Sequence, residues 1–209
     1  MPPADVAVLD APTPSAPVTT TASSAKTNTS DEDVLLQAAS TELEHMRHKT
    51  SRSFPPACLA LLQSIEGNHR CVDCGEQNPQ WAAYRYGALL CLNCSGHHRS
   101  LGVQVSSVRS ISMDEWSISE VISMLEGGNR QLAAFFQRHQ LTAGACGGRL
   151  ENVTLRRYKT KAALFYRRQM ELHVQNILAA GPYRGRQWSR RLPPAAKETT
   201  ATTATTTRE

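Results

Sequence analysis

The sequence predicts an α+β fold, in which a small antiparallel sheet built around a four-cysteine knuckle is packed by several α-helices and flanked by disordered tails. Three observations predict it. Four cysteines form two C-x2-C pairs separated by sixteen residues. Segments on both sides of them place apolar residues at three- and four-residue steps, which is typical of amphipathic helices. Both ends of the 209-residue chain lack the apolar content that ordering requires.

The cysteine array, formed by Cys71, Cys74, Cys91 and Cys94, has the ligand spacing of a structural zinc site. Disulfides are the alternative, but a chain without a secretory leader indicates a reducing compartment, where disulfides rarely persist. Four thiolates leave a tetrahedral Zn²⁺ ion no open position for catalysis. We therefore predict one structural Zn²⁺ per chain.

Two helices are predicted before the array. Residues 31–49 have helix-like apolar spacing and an acidic first turn, which suits the helix dipole. Pro55 and Pro56 then start a second helix, which ends near Gly67. The first of these helices has no purpose that the sequence indicates.

The array itself is predicted to occupy turns and short strands. The extended candidates are residues 89–91 and 103–113. Cys58 and Cys146 lie far from the array and are predicted to be ordinary buried or loop thiols.

Three helices are predicted after the array. Ser117-Ile-Ser-Glu120 is a capping box, which starts the first of them, and Asn129 is predicted to cap the second. Residues 142–148 are small and read as a loop. A long amphipathic helix begins at about Leu155 and ends at Gly181, which precedes a proline.

The chain divides into five predicted segments. A disordered tail covers 1–30, a helix or linker 31–52, the zinc-finger domain 53–180, a basic segment 181–194, and a disordered Thr-rich tail 195–209. The middle segment is long enough for one compact core, which the metal would reinforce.

The residues around the array resemble a known family. The stretch from Cys71 to Trp81 leads to Cys94-Ser-Gly-His-His-Arg99-Ser-Leu-Gly102. This pattern resembles the zinc-finger domain of Arf GTPase-activating proteins (ArfGAPs), and the later Gly185-Arg-Gln-Trp-Ser189 resembles the Golgi-coat subgroup. The resemblance covers about two thirds of the chain, from Phe54 to Ser189. Asp114 and Trp116, further along the chain, also match the family pattern. Trp116 is predicted to lie in the core, and Asp114 is predicted to cap a turn.

The resemblance implies a GTPase activator that acts on a GTP-bound Arf-family GTPase and supplies Arg99 in trans as the catalytic arginine. Such a finger raises a GTPase's rate by roughly 10³–10⁵. The alternative is a surface arginine that packs beside the zinc site. The resemblance also implies four residues that contact the GTPase or set the arginine loop: Trp81, His98, Leu101 and Arg109. The chain has no P-loop, so it is not expected to hydrolyse nucleotide by itself.

Three positions depart from the family pattern. His97 replaces an aliphatic residue, Gln104 follows where the family usually carries histidine, and Ser107 replaces a basic residue. These changes keep open a second hypothesis, a zinc scaffold that binds Arf or coat proteins without stimulating hydrolysis. Neither His97 nor His98 is predicted to bind the metal, because four thiolates already complete the tetrahedron.

The charge is uneven along the chain. Residues 149–191 carry eleven Lys or Arg against two acidic residues. A solvated helix face is one explanation, but Tyr183 and Trp188 among the arginines favour contact with an anionic membrane surface. The predicted membrane-contact residues are Arg184, Arg186, Arg190 and Arg191. Without a signal peptide or an apolar run of about 20 residues, the chain is expected to be cytoplasmic and to associate reversibly with Golgi or other endomembranes.

A GATA-type DNA-binding zinc finger is the rival from another class, since it shares the paired C-x2-C spacing and a basic tail. Here Trp81 is followed by Ala82 and Ala83 rather than by phosphate-binding arginines. A long helical region also follows the array, which a minimal finger lacks. Nucleic acid is therefore not a predicted partner.

Overall fold

The computed structural model describes residues 29–142 and 156–193. The α+β prediction is confirmed. The helices in these ranges are α1 Thr29–His45, α2 Pro56–Ser64, α3 Leu92–Ser100, α4 Ile118–Glu126, α5 Asn129–Arg138, α6 Lys161–Ala180 and α7 Arg186–Ser189, with a single 3-10 turn at Tyr84–Tyr86. The strands are β1 Trp81–Ala83, β2 Ala88–Leu90 and β3 Val108–Ser110.

Several predicted features fall wholly or largely outside these ranges. They are the two tails, most of the 142–148 loop, Cys146, and the start of the long helix at Leu155. Within the described ranges, no helix combines the length and the apolar character needed to cross a bilayer.

The sheet has three antiparallel strands in the order β2-β1-β3. Trp81, at the start of the central strand, lies opposite Leu90 on one side and Ser110 on the other. The extended segment predicted for 103–113 is a strand only at β3. Its first part folds into a turn instead, because the amides of Val105 and Ser106 both donate to the carbonyl oxygen of Gly102.

The helix boundaries follow local capping chemistry. The capping box predicted at Ser117 starts α4, and α6 starts at Lys161 because the Thr160 hydroxyl accepts the amide of Ala163 at 3.2 Å. The prediction that Asn129 caps α5 is wrong. Gly128 is the N-cap residue, and the Asn129 side chain bonds instead to the amide and carbonyl of Leu89 in β2.

The segment before the predicted domain is part of the core. Ala39 and Leu43 of α1, and Met46 directly after it, are buried in the same cluster as Trp116, which is fully buried as predicted. The Glu42 carboxylate accepts from the amides of residues 57 and 58 at 2.9 and 3.0 Å, which satisfies free donors at the start of α2. Helix α1 is therefore a packed element and not a linker.

The segment after α6 also returns to the domain. Tyr183 is 3% exposed, and its carbonyl accepts from the Ser40 hydroxyl at 2.8 Å. The buried Glu126 carboxylate, at the end of α4, accepts from the hydroxyls of Tyr183 and Ser189 at 2.8 and 2.7 Å. Helix α1 and the segment that leads into α7 thus meet on the domain from opposite ends of the described sequence.

Candidate metal centre and adjacent arginine

The four predicted cysteine ligands come together in one cluster. The sulfur atoms of Cys71, Cys74, Cys91 and Cys94 all lie within 4.8 Å of one another. Cys74 Sγ and Cys91 Sγ are 3.5 Å apart, and none of the four forms a disulfide. In a ZnS₄ tetrahedron with bonds of about 2.3 Å, neighbouring sulfurs are about 3.8 Å apart. The donor set and its spacing therefore fit a tetrahedral thiolate-binding metal.

Two local structures hold the cysteines. The first pair lies in a turn closed by the amides of Cys71 and Gly75, which donate to Glu76 O and Cys71 O at 2.7 and 2.9 Å. The second pair lies on a helix, because Cys91 is the N-cap residue of α3 and Cys94 falls in its first turn. The helix N-terminus favours negative charge and so stabilises these thiolates. Sequence reasoning placed the array in turns and strands and missed this helix.

Without a cation, the cluster cannot hold four thiolates. The Cys94 thiol donates to Cys71, which lowers the pKa of Cys71 to about 5 and raises that of Cys94. Burial raises the pKa of Cys91 to about 12. Sulfurs this close repel one another when ionised, so a bound divalent cation would release their protons and hold the two C-x2-C segments together.

Arg99 lies on the last turn of α3 and is exposed. Its guanidinium carbon lies 4.4 Å from the centroid of the Trp81 ring, so the cation rests on the indole face. Among the described residues, no carboxylate pairs with Arg99 within 4.0 Å. Gly102, at a φ of +84°, turns the chain away directly after the helix. The Arg99 guanidinium is therefore a cation without a carboxylate partner among the described residues, and it lies at the C-terminal end of α3 with its position fixed by Trp81.

His98 connects this helix to a buried hydrogen-bond network. Its ring is fully buried, with Nδ1 2.7 Å from Ser106 Oγ and Nε2 2.9 Å from Asp73 Oδ2. The other Asp73 oxygen accepts from Tyr158 Oη at 2.9 Å and from the Arg157 guanidinium. Burial opposes ionisation of Asp73, but His98 and Arg157 outweigh it and hold its pKa below the usual value.

This hydrogen-bond network holds the turn of α3 that carries Arg99, and its buried residues are not accessible for catalysis. Ser106, His98 and Asp73 are the residue types of a nucleophilic triad, but Ser106 is 2% exposed and His98 is fully buried. A substrate cannot reach them. Sequence reasoning assigned no role to Asp73, although its position inside the first C-x2-C turn is a signal that could have found it.

The loop after α3 is held from α6. Arg167 donates to the carbonyls of Gln104 and Val105, and Tyr86 Oη also donates to Val105 O, at 3.0 Å. Gln104 thus contributes its backbone to this contact, whereas its side chain is exposed. Of the other two departures from the family pattern, His97 is half-buried on α3, and the Ser107 hydroxyl donates to Val103 O.

The remaining predicted contact residues lie in different surroundings. Leu101 is 7% exposed at the C-cap of α3 and packs in the core. Arg109 pairs with Glu120 at 2.8 Å, and Glu120 is the capping-box residue of α4. Asp114 accepts the amide of Ser110 at 2.6 Å, which is the turn-capping role predicted for it. Of the four residues predicted to contact the GTPase or to set the arginine loop, Trp81 contacts Arg99 directly and His98 precedes it on the same helix.

The four arginines predicted to contact a membrane differ in accessibility. Arg186 is half-buried and donates to Gly127 O and Gln131 Oε1 at 2.6 and 3.2 Å. Arg184 and Arg190 are exposed, as is Arg191. Arg186 is thus a structural contact to the end of α4, whereas the other three side chains are accessible to a partner.

The buried Asp73 carboxylate yields a stability prediction. Asp73→Asn should destabilise the zinc-loaded protein by about 3 kcal/mol or more, because it leaves the Arg157 charge buried without a counterion. Urea unfolding would measure the loss. Glu171→Gln, which breaks the exposed pair with Arg168, is the control and should cost less than about 0.5 kcal/mol. Equal unfolding midpoints for both variants would show that the network is not a structural element.

Comparison with known proteins identifies the family. Residues 57–173, more than half of the chain, match the ArfGap family model, described as "Putative GTPase activating protein for Arf". The chain belongs to the ArfGAP family. The matched range contains the cysteine cluster, α3 and the first part of α6, whereas α1 and α7 lie outside it.

Curated relatives of this ArfGAP chain carry matching names. It is 48% identical over 83 residues to "ADP-ribosylation factor GTPase-activating protein GCS1" of Saccharomyces cerevisiae, which covers 40% of this chain and 24% of that protein. It is 40% identical over 111 residues to "ADP-ribosylation factor GTPase-activating protein 3" of Pongo abelii, covering 53% of this chain and 20% of that protein. The chain thus spans about a quarter or less of the length of these relatives.

Among solved structures, the chain is similar to a "putative GTPase activating protein for ADP ribosylation factor" from Cryptosporidium parvum. The identity is 25% and the TM-score 0.47, with 56% of this chain and 88% of that chain covered.

Proposed function

We propose that this chain is a GTPase-activating protein for an Arf-family small GTPase and that it supplies Arg99 in trans to accelerate GTP hydrolysis in vesicle coat trafficking. The observation that carries the proposal is the exposed Arg99 guanidinium, which stacks on Trp81 at 4.4 Å and has no carboxylate partner among the described residues. The names of the relatives support the choice of an ADP-ribosylation factor as the partner.

The geometry suits electrostatic stabilisation of a phosphoryl-transfer transition state. Such catalysis needs a cation that is already in position when charge develops on the transferring phosphoryl group. The stack on Trp81 orients Arg99, and the buried partners of His98 fix the helix turn that carries it. A guanidinium stays charged at every physiological pH, and it presents several donors in one plane. A lysine ammonium cannot provide that planar set of donors. In this proposal the chain contributes that cation to the active site of the GTPase.

Zinc has a structural part in this proposal. Cys71, Cys74, Cys91 and Cys94 would hold one Zn²⁺, which supplies a crosslink and leaves no open position for substrate. Cys94 lies in the first turn of α3 and Arg99 in its last. The metal therefore anchors the start of the helix whose end carries the arginine.

The partner would cover the exposed face of α3. Leu92 is 64% exposed and precedes Arg99 by two helical turns, so both side chains lie on one face. Gly96 lies between them, and a Cβ there would meet no atom within 4 Å. Val103, just beyond the helix, is 70% exposed. The exposed apolar side chains of Leu92 and Val103 would contact the protein surface of the GTPase, and the Arg99 cation between them would face its bound nucleotide.

A single-turnover assay tests the proposal. The zinc-loaded chain, added to an Arf-family GTPase loaded with GTP, should raise the hydrolysis rate by roughly 10³-fold or more at saturation. The chain alone should release no phosphate from GTP. Binding to the GTP-bound partner without faster hydrolysis would instead favour the scaffold hypothesis, in which the chain gathers Arf or coat proteins. Peripheral association with Golgi or other endomembranes is part of the same proposal.

A further inference from the structure

The basic segment after α6 is a fixed surface of the domain. Tyr183 and Ser189 are 3% and 1% exposed, and both hydroxyls donate to the buried Glu126 carboxylate, which His173 also contacts at 2.9 Å. Ser40 of α1 holds the backbone of residue 183 from the other side. Arginines on this segment therefore project from a defined position, and ordering them on a ligand costs little backbone entropy.

A groove of about 900 Å³ lies beside this segment. Its lining includes Leu61 of α2, the C-cap residue Ile65 of that helix, and Leu125 of α4. Its walls include four arginines of the basic segment, Arg184, Arg186, Arg190 and Arg191, and we call this space the arginine groove. Three acidic residues, Glu32, Asp33 and Glu66, also line it, and Glu66 is already paired with Arg130.

The charges in the arginine groove are not balanced locally. In residues 29–142 and 156–193, no carboxylate lies within 4.0 Å of the guanidinium of Arg184, Arg186, Arg190 or Arg191. Two of these cations converge, because Arg186 and Arg190 donate to the same Gln131 oxygen at 3.2 and 3.1 Å. Burial and the neighbouring Arg190 both lower the pKa of Arg186. An anion placed between the two guanidiniums would relieve this repulsion.

Two aromatic residues line the groove, the buried Tyr183 and the more exposed Trp188. Trp188 is half-buried, and the Arg184 guanidinium lies 5.3 Å from its ring centroid. Tryptophan side chains with a cation on one face and apolar contacts on the other favour the interface between headgroups and acyl chains. A groove with an apolar lining, an aromatic wall and unpaired arginines therefore suits an amphiphile with a phosphate group better than a soluble anion.

We infer that the arginine groove binds the phosphate group of an anionic phospholipid and so orients this domain on a membrane surface. The phosphate lies against Arg190 and the neighbouring Arg186, and Arg184 and Arg191 meet the rest of the headgroup. Trp188 enters the interfacial layer, and Arg186 also keeps the segment attached to the end of α4. The inference rests on the endomembrane association in the proposed function and does not involve Arg99, because it predicts membrane attachment and not hydrolysis.

The test uses the zinc-loaded full chain in vesicle co-sedimentation. The groove variant is R184Q/R190Q/R191Q, and Arg186 is left intact because it bonds to Gly127 O. The control variant is R156Q/K159Q/K161Q, which removes the same charge from three exposed residues before and at the start of α6. On phosphatidylcholine vesicles containing phosphatidylserine or a phosphoinositide, the groove variant should bind on the order of a hundredfold more weakly than wild type, and the control variant within about threefold of it.

Two results would overturn the inference. Equal losses in the groove and control variants would show that net charge alone drives binding. Tight binding of inorganic pyrophosphate, without any wild-type binding to the anionic vesicles, would identify a soluble anion as the ligand. Stimulation of a soluble GTPase measured on both variants separates the two proposals, because loss of membrane binding is expected to leave that rate unchanged.

Discussion

Replacing Cys91 with serine should leave most of the domain unfolded. Each strand of the sheet has three residues, the first C-x2-C pair lies in a turn, and the second lies at the start of a nine-residue helix of low helix propensity. Structural Zn²⁺ in small thiolate sites contributes about 10–16 kcal/mol at pH 7, whereas a whole domain is stable by about 5–15 kcal/mol. Loss of one ligand is therefore comparable to the total stability. Far-ultraviolet circular dichroism and metal analysis of the purified variant would show the effect.

Cys58→Ser is the matched control for this experiment. Cys58 is fully buried, its thiol donates to the carbonyl of Ala39 at 3.6 Å, and it is not a member of the four-cysteine cluster. Burial raises the pKa of this thiol, so it stays protonated and does not compete for metal. The control should retain one Zn²⁺ and lose only about 1–2 kcal/mol of stability. Wild-type protein that contains no zinc, or a Cys91→Ser variant that melts like wild type, would contradict the proposed metal centre.

Structural features that depend on residues close together in the sequence could be predicted. The cysteine spacing alone predicts a metal cage, because a two-residue turn fixes the distance between two thiolates. The capping box at Ser117 is equally local, since its hydrogen bonds join residues three apart. Trp116 could be assigned to the core from its size and context, and the structure buries it completely.

Features that depend on contacts distant in sequence could not be predicted. Asn129 has the residue type of a helix cap, but β2 lies within reach of its side chain and uses its donors and acceptor instead. Helix α3 has a Gly-His-His sequence of low helix propensity and is maintained by its thiolates and by Asp73. Helix α1 shows apolar spacing, but nothing in its sequence indicates that it packs on α2.

The candidate site also combines features that are local in sequence with features that depend on distant contacts. Arg99 could be singled out from its distance to the last cysteine and from the family resemblance, because both are sequence patterns. Its stack on Trp81 brings together residues eighteen positions apart, and the network behind it joins Asp73 to Tyr158, eighty-five positions apart. Only the packing of α3 against the sheet and of the segment before α6 against α3 brings these residues together.

Replacing Arg99 with alanine should remove most of the stimulation of GTP hydrolysis while the protein stays folded. The guanidinium is exposed and, within residues 29–142 and 156–193, its one partner is the Trp81 ring, so its removal leaves no buried group there unsatisfied. A finger that contributes roughly 10³–10⁵ in rate lowers the barrier by about 4–7 kcal/mol. The maximal rate at saturating activator should fall by at least about 10³-fold, as single-turnover phosphate release would show. Arg138→Ala, which removes another exposed arginine from a helix end, should leave that rate unchanged.

The Arg99→Lys variant tests whether catalysis needs the planar guanidinium or only a positive charge at this position. A lysine ammonium keeps the positive charge, but it cannot present two donors in one plane, and it loses the planar stack on Trp81. If Arg99 stabilises the transferring phosphoryl group, Arg99→Lys should be nearly as slow as Arg99→Ala at saturation, with both variants binding the GTP-bound partner almost normally. A lysine variant with the full wild-type rate would mean that the site offers only general positive charge. A normal maximal rate with weakened binding would make Arg99 a docking residue, and the catalytic group would then have to come from the GTPase itself.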